Sequence, residues 1–146
     1  MNSTYQIYLI SDSTGETLDR IFLAIKAQFK NINYKIHTYS FTRTENQIFK
    51  ILSNAKKNPN SIILYSIVDS SLAKYLGNTS KEKNIPCFGV LGDLILSFSK
   101  LLNQKASHEP SGQHVLNEEY YDRIGVFFCI WKYFEYLVFS SCKRVS

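Results

Sequence analysis

Apolar positions along the chain switch repeatedly between strand-like runs and stripes spaced three and four residues apart. Tyr5 to Ile10 reads as a strand, and the segment after it places Leu18, Ile21, Phe22, Ile25 and Phe29 on one helix face. Residues 34–41 supply a second β-rich run. A helical pattern follows through Ile48, Ile51, Leu52 and Ala55 and stops at Asn58-Pro59. Residues 62–68 form a continuous apolar run rich in β-branched side chains, the pattern of a central strand covered on both faces. Leu72, Ala73 and Leu76 then mark a helix, and residues 85–91 a further strand in which Pro86 is tolerable only near the beginning. Leu94, Ile95, Phe98, Leu101 and Leu102 mark another amphipathic helix.

Strands and helices alternating at intervals of roughly 30 residues define βαβ units with parallel pairing and right-handed crossovers. The predicted fold class over residues 5–105 is therefore α/β, an open Rossmann-like parallel sheet flanked by helices. The first clear boundary is the loop from His108 to His114, which contains Pro110 and Gly112. A last helix is expected beyond it, with Asn117 as N-cap and Glu118 and Glu119 in its first turn.

Composition narrows the function classes. At 146 residues, with 45% hydrophobic and 20% charged positions, the chain suits one ordinary folded domain. The net charge of +5 is not gathered into a basic stripe, and Lys56-Lys57 and Lys81-Glu82-Lys83 read as solvated helix ends. No nucleic-acid partner is expected. Cys87, Cys129 and Cys142 are odd in number and widely spaced, which suits inert thiols in a reducing compartment rather than a disulfide framework or a zinc site. Met1 to Tyr8 has no basic, apolar and small-residue leader pattern, so the expected location is cytoplasmic.

The segment Ser11-Asp12-Ser13-Thr14-Gly15-Glu16-Thr17 lies where the first strand ends and a helix opens, the position at which open α/β sheets bind ligands. Its hydroxyls and helix-start N–H groups are candidates for receiving a phosphate, although the segment brings no cation of its own. A capping box in which Ser13 and Glu16 bond each other's backbone explains the same letters. Asp12 and Asp69 each follow a strand and could hold magnesium or relay a proton, while helix capping is the commoner use of such an Asp. In the loop 108–114 the two histidines are six apart around Pro110 and Gly112, which does not make a zinc motif. Gln113 and His114 remain anion-contacting candidates beside the reading of an ordinary surface loop. The six glycines form neither G-x-G-x-x-G nor a phosphate-binding G-x-x-x-x-G-K-[ST] loop.

Three segments occur together: Ile10 to Thr17, Tyr65-Ser66-Ile67-Val68-Asp69, and Pro110-Ser111-Gly112-Gln113-His114-Val115-Leu116-Asn117-Glu118-Glu119-Tyr120-Tyr121-Asp122-Arg123-Ile124. In this order and spacing the chain resembles the pyruvate, phosphate dikinase regulatory protein family over residues 1–124. The related regulators of phosphoenolpyruvate synthase lack the full Ser-Thr-Gly-Glu-Thr wording. The resemblance implies a bifunctional serine/threonine kinase and phosphorylase. It would use ADP and magnesium to phosphorylate the active-site threonine of the dikinase, and would remove that phosphate by phosphorolysis, releasing pyrophosphate. The dikinase is the implied partner. Ser11, Asp12, Ser13, Thr14, Gly15, Thr17, Asp69, Gln113 and His114 are the phosphate- or substrate-binding candidates, and no catalytic residue is assigned.

The family's His-Asp-Asp-Gly stretch and its P-loop-like Gly-Val-Ser-Arg-x-x-Lys-Thr segment do not occur in these 146 residues. ADP and magnesium are accordingly not expected to bind tightly to this chain, and its own transfer activity is doubtful. After Ile124 the composition changes abruptly, and residues 125–146 are expected to be a divergent, aromatic-rich tail of a frameshifted or truncated copy. Its apolar run is shorter than a span of about 20 residues and carries Lys132 and Glu135, so no membrane span is expected. The alternatives to an enzyme are a non-catalytic dikinase-binding remnant and a small Rossmann-like ligand-binding module.

Overall fold

The computed structural model describes residues 3–110, all within the compact unit Met1–Pro110. Elements alternate as the pattern demands: β1 (Tyr5–Ser11), α1 (Glu16–Lys26), β2 (Tyr34–Tyr39), α2 (Glu45–Lys56), β3 (Ser61–Ser66), α3 (Ser70–Glu82), β4 (Cys87–Gly89) and α4 (Gly92–Leu102). The four strands form one parallel sheet in the order β2-β1-β3-β4. The fold is α/β. The helix anticipated from Asn117, and Cys129, Cys142 and the aromatic run, lie outside the described residues.

Strand periodicity divides the interior into two layers. Tyr8, Ile10, Ile63 and Ile67 pack on one face with Ile48, Ile51, Leu52 and Ala55 of α2 and with Leu72 and Leu76 of α3. Ile7, Leu9 and Leu64 face the other way onto Leu18 and Phe22 of α1. Burying side chains of this size removes about 1.5–3 kcal/mol each of unfavourable contact with water, so these stripes fix the register of the sheet. Within α2, Thr44 accepts from the Gln47 amide and Gln47 reaches back to the Thr44 amide, a reciprocal cap that sets where the helix starts.

Two expectations change. The fourth strand spans Cys87–Gly89 rather than 85–91, since Pro86 has no N–H to pair and Gly89 lies against the Tyr65 ring. Helix α4 is present with the expected stripe, yet it buries none of its residues, and Leu94, Phe98, Leu101 and Leu102 stay exposed. Its apolar spacing was sufficient for a helix but not for a seat in the core. No helix among the described residues is long and apolar enough to cross a membrane.

Ser80 of α3 is fully buried and its hydroxyl has no hydrogen-bond partner. Its polar neighbour is the Cys87 thiol, a weak partner whose own pKa is pushed up mainly by burial. Replacing Ser80 with alanine removes an unsatisfied hydroxyl and improves helix propensity, so stability should rise by about 1 kcal/mol in denaturant melts. A loss of stability would mean that the hydroxyl does bond the thiol.

Candidate functional site

Because β1 and β3 run parallel as neighbours, their last residues meet at one edge. Ser11 and Ser66 are partners in register, and their hydroxyls lie 3.3 Å apart. The Ser11 hydroxyl also accepts the Ser13 amide at 3.1 Å, which bends the chain immediately after the strand. Asp12 follows, with its Oδ2 accepting the Val68 amide at 2.8 Å, so the loop after β1 is tied to the loop after β3. Gly15 then takes φ 88° and occupies the N-cap of α1.

This geometry corrects the capping expectation. Ser13 makes no cap; its amide turns back to Ser11, and its hydroxyl is buried beside the Ser11 hydroxyl at a long 3.5 Å. Glu16 is consequently the first helical residue rather than the third, and the Ser-x-x-Glu spacing falls out of phase. The first amides of α1 are left without a side-chain cap. Ser11, Asp12 and Ser13 are buried, whereas Thr14 and Thr17 are exposed on the edge.

A cation arrives from a segment the sequence reading passed over. The loop after β2 docks alongside, with the Phe41 amide donating to Ser13 O and the buried Thr42 donating its amide to Ser11 O, both at 2.9 Å. Arg43 comes next, and its Nε donates to Asp12 O at 3.0 Å. Its guanidinium lies over the Phe41 ring, 5.5 Å from the centroid, and its side chain is exposed. Residues 11–17 contain no cation themselves, and Arg43 supplies one to this edge. Arg43, Thr42 and Ser66 were all within reach of one signal: in a parallel sheet every loop that follows a strand returns to the same edge.

Asp12 and Asp69 do come near one another. Burial pushes the Asp12 carboxyl above its ordinary range, opposed by the Val68 and Asp12 amides and by Arg43, while the Asp69 carboxylate adds to the rise. Asp69 serves as the N-cap of α3, accepting the Leu72 amide at 2.9 Å, which is the commoner of its two expected uses. One oxygen of each carboxylate thus accepts a backbone N–H group, and the Arg43 side chain stands beside Asp12.

His108 donates from Nδ1 to Val68 O at 2.7 Å, since a carbonyl oxygen can only accept. That bond joins the start of the 108–114 loop to the same edge; Gln113 and His114 lie outside the described residues.

The raised pKa of Asp12 makes stability depend on pH in one direction. Asp12 holds its proton more tightly when folded, so its contribution to stability is present below the ordinary Asp value and is lost as pH rises through the folded value. Asp12→Asn keeps an acceptor for the Val68 amide without the charge. The melting temperature of Asp12→Asn should therefore gain on the parent as pH rises from about 3 toward neutrality. A gain in the opposite direction would show that Arg43 and the amides outweigh burial.

An open parallel sheet whose loops after β1, β2 and β3 are hydrogen-bonded together at one edge defines an α/β protein, with the candidate site where such sheets bind ligands. The chain belongs to the kinase/pyrophosphorylase family, whose model matches residues 7–129. It is 75% identical over 124 residues to a Pelagibacter ubique protein named as a pyruvate, phosphate dikinase regulatory protein, covering 85% of this chain and 45% of that one. Proteins with the same name from Geotalea uraniireducens and a Chelativorans species are each 38% identical, over 119 and 122 residues. Those matches cover 82% and 84% of this chain and 44% of each relative. The chain thus spans less than half the length of the curated relatives it matches.

Proposed function

We propose that this edge is the phosphate-receiving part of a regulator that places a phosphoryl group on pyruvate, phosphate dikinase and takes it off again. The observation that supports this reading best is the Arg43 side chain tied through Nε to Asp12 O, in the loop that leads into the uncapped α1. The α1 amides and the exposed Thr14 and Thr17 hydroxyls are the neutral donors for a phosphate there. Glu16 and Asp19 in the first turn already complement the helix dipole and repel an anion, so the guanidinium has to supply the decisive attraction.

In the finer reading, ADP provides the phosphoryl group for the active-site threonine of the dikinase, and inorganic phosphate later accepts it as pyrophosphate. Both directions require a site that grips a phosphothreonine by its oxygens. Ser11, Ser13 and Asp12 act there as positioning residues, because their polar atoms are buried and hold the turn. Thr14, Thr17 and Arg43 are the groups that face a ligand.

Amide NMR of the 146-residue chain, titrated with a phosphothreonine peptide and with its unphosphorylated twin, tests the reading. Only the phosphopeptide should shift the amides of residues 16–18, and Arg43→Met should weaken it by about tenfold, the loss of one charge-assisted contact of roughly 1.4 kcal/mol. Equal binding of the two peptides, or no effect of Arg43→Met, would dispose of the phosphate site.

A further inference from the structure

The edge around Arg43 does not end at Asp12. Val68 donates its amide to Asp12 Oδ2 at 2.8 Å, and its carbonyl accepts from His108 Nδ1 at 2.7 Å. Val68 and His108 also line an open cleft of about 520 Å³ between α3 and α4. The cleft is therefore continuous with the candidate phosphate edge, and the Val68 peptide group is their common rim.

The walls of the cleft come from two helices that differ in how they are packed. Helix α3 turns Leu72, Leu76 and Ser80 into the core and leaves Ala73 toward the cleft. Helix α4 supplies Ile95 and Leu96 from the other side, and it buries none of its residues, with Leu96 56% exposed. Ala73, Ile95 and Leu96 thus present apolar surface that nothing among the described residues covers. Lys74 and Asp93 also line the cleft, but both are exposed and stay in contact with water, so the apolar surface decides what the cleft prefers. Its volume suits one or two side chains and lies within the range of about 300–1,000 Å³ found for binding clefts.

Reach decides what can occupy it. Arg43 Nε lies 3.0 Å from Asp12 O, and Asp12 Oδ2 lies 2.8 Å from the Val68 amide. These two bonds through a single residue keep the Val68 amide within about 11 Å of Arg43 Nε, a span that three to four extended residues cover at about 3.3–3.6 Å each. A phosphothreonine at Arg43 can therefore bring a side chain two or three residues away to the mouth of the cleft without any rearrangement of the fold.

We propose that the cleft between α3 and α4 seats an apolar side chain of the target protein, two or three residues away from its phosphothreonine. Ala73, Ile95 and Leu96 then select the sequence around the phosphorylated residue, while Arg43 selects the phosphate. This inference rests on the phosphate reading of the edge and gives that edge its sequence selectivity.

Three phosphothreonine peptides on a glycine-serine background test it: one with leucine at the second and third positions before the phosphothreonine, one with leucine at the second and third positions after it, and one without leucine. In calorimetric and amide NMR titrations of the 146-residue chain, one leucine peptide should bind about tenfold tighter than the leucine-free peptide. It should shift the Ala73 and Leu96 amides as well as those of residues 16–18. Ile95→Ser combined with Leu96→Ser should abolish the leucine gain and leave binding of the leucine-free peptide unchanged, which also reports that the variant is folded; Leu96→Ser alone should reduce the gain. Equal affinity of the three peptides, with the phosphate requirement and the Arg43→Met loss intact, would overturn the cleft assignment and leave the phosphate edge standing. A leucine gain whose shifts fall instead in the apolar trough lined by Phe22, Phe29 and Phe88, or one that survives the double substitution, would overturn it as well. If the unphosphorylated twins bind as tightly as the phosphopeptides, leucine-free pair included, the phosphate reading itself fails and this inference falls with it.

Discussion

Gly15→Ala is expected to destabilise the chain by about 1–2 kcal/mol, the cost of forcing an L side chain into the left-handed region. The limit is the backbone rather than space. A Cβ at Gly15 would lie 3.6 Å from the Ser40 hydroxyl and 3.7 Å from Ser11 Cβ, which is ordinary contact, but φ is 88°. Gly15→Asn should cost less, since asparagine tolerates that conformation, and Gly15→Val should cost most because it is β-branched. The turn from Ser11 to Gly15 also carries the Asp12 carbonyl that holds Arg43, so phosphopeptide affinity should fall in the same order. Denaturant melts of the three variants check the ranking; equal losses for Asn and Val would indicate that Gly15 is needed for close approach and not for its conformation.

The same residue shows where sequence reasoning reached its limit. Four strands and four helices were legible because each buries one stripe of one period, and Ile48, Ile51, Leu52 and Ala55 in α2 are a direct instance. Positive φ at Gly15 leaves no such periodic trace, so the Ser13–Glu16 spacing passed for a cap. Burial of α4 was illegible for another reason: a stripe states which face is apolar, while neighbours decide whether anything covers it. Asp69 as a cap could be read locally, since the partner amide is three residues away. Arg43 could not, because its partner Asp12 is 31 residues away and the contact exists only once β2 is known to lie beside β1.

Incubated alone with ADP, magnesium and histidine-phosphorylated dikinase, a chain of these 146 residues should produce no phosphothreonine above a no-protein control. Supplied with phosphate and threonine-phosphorylated dikinase, it should release no pyrophosphate. Phosphoryl transfer relies on positioning and on neutralising charge spread over the moving group, which falls to a phosphate-cradling loop, cations and bound metal. This edge provides one guanidinium, and one oxygen of each of its two carboxylates already accepts the Val68 or Leu72 amide. Binding and catalysis should therefore separate: phosphothreonine contacts depend on Arg43, while transfer needs groups that neither the 11–17 segment nor Arg43 contains. Rapid-quench assays in both directions check this, and turnover that disappears in Arg43→Met would establish that the residues gathered at this edge carry an active site of their own.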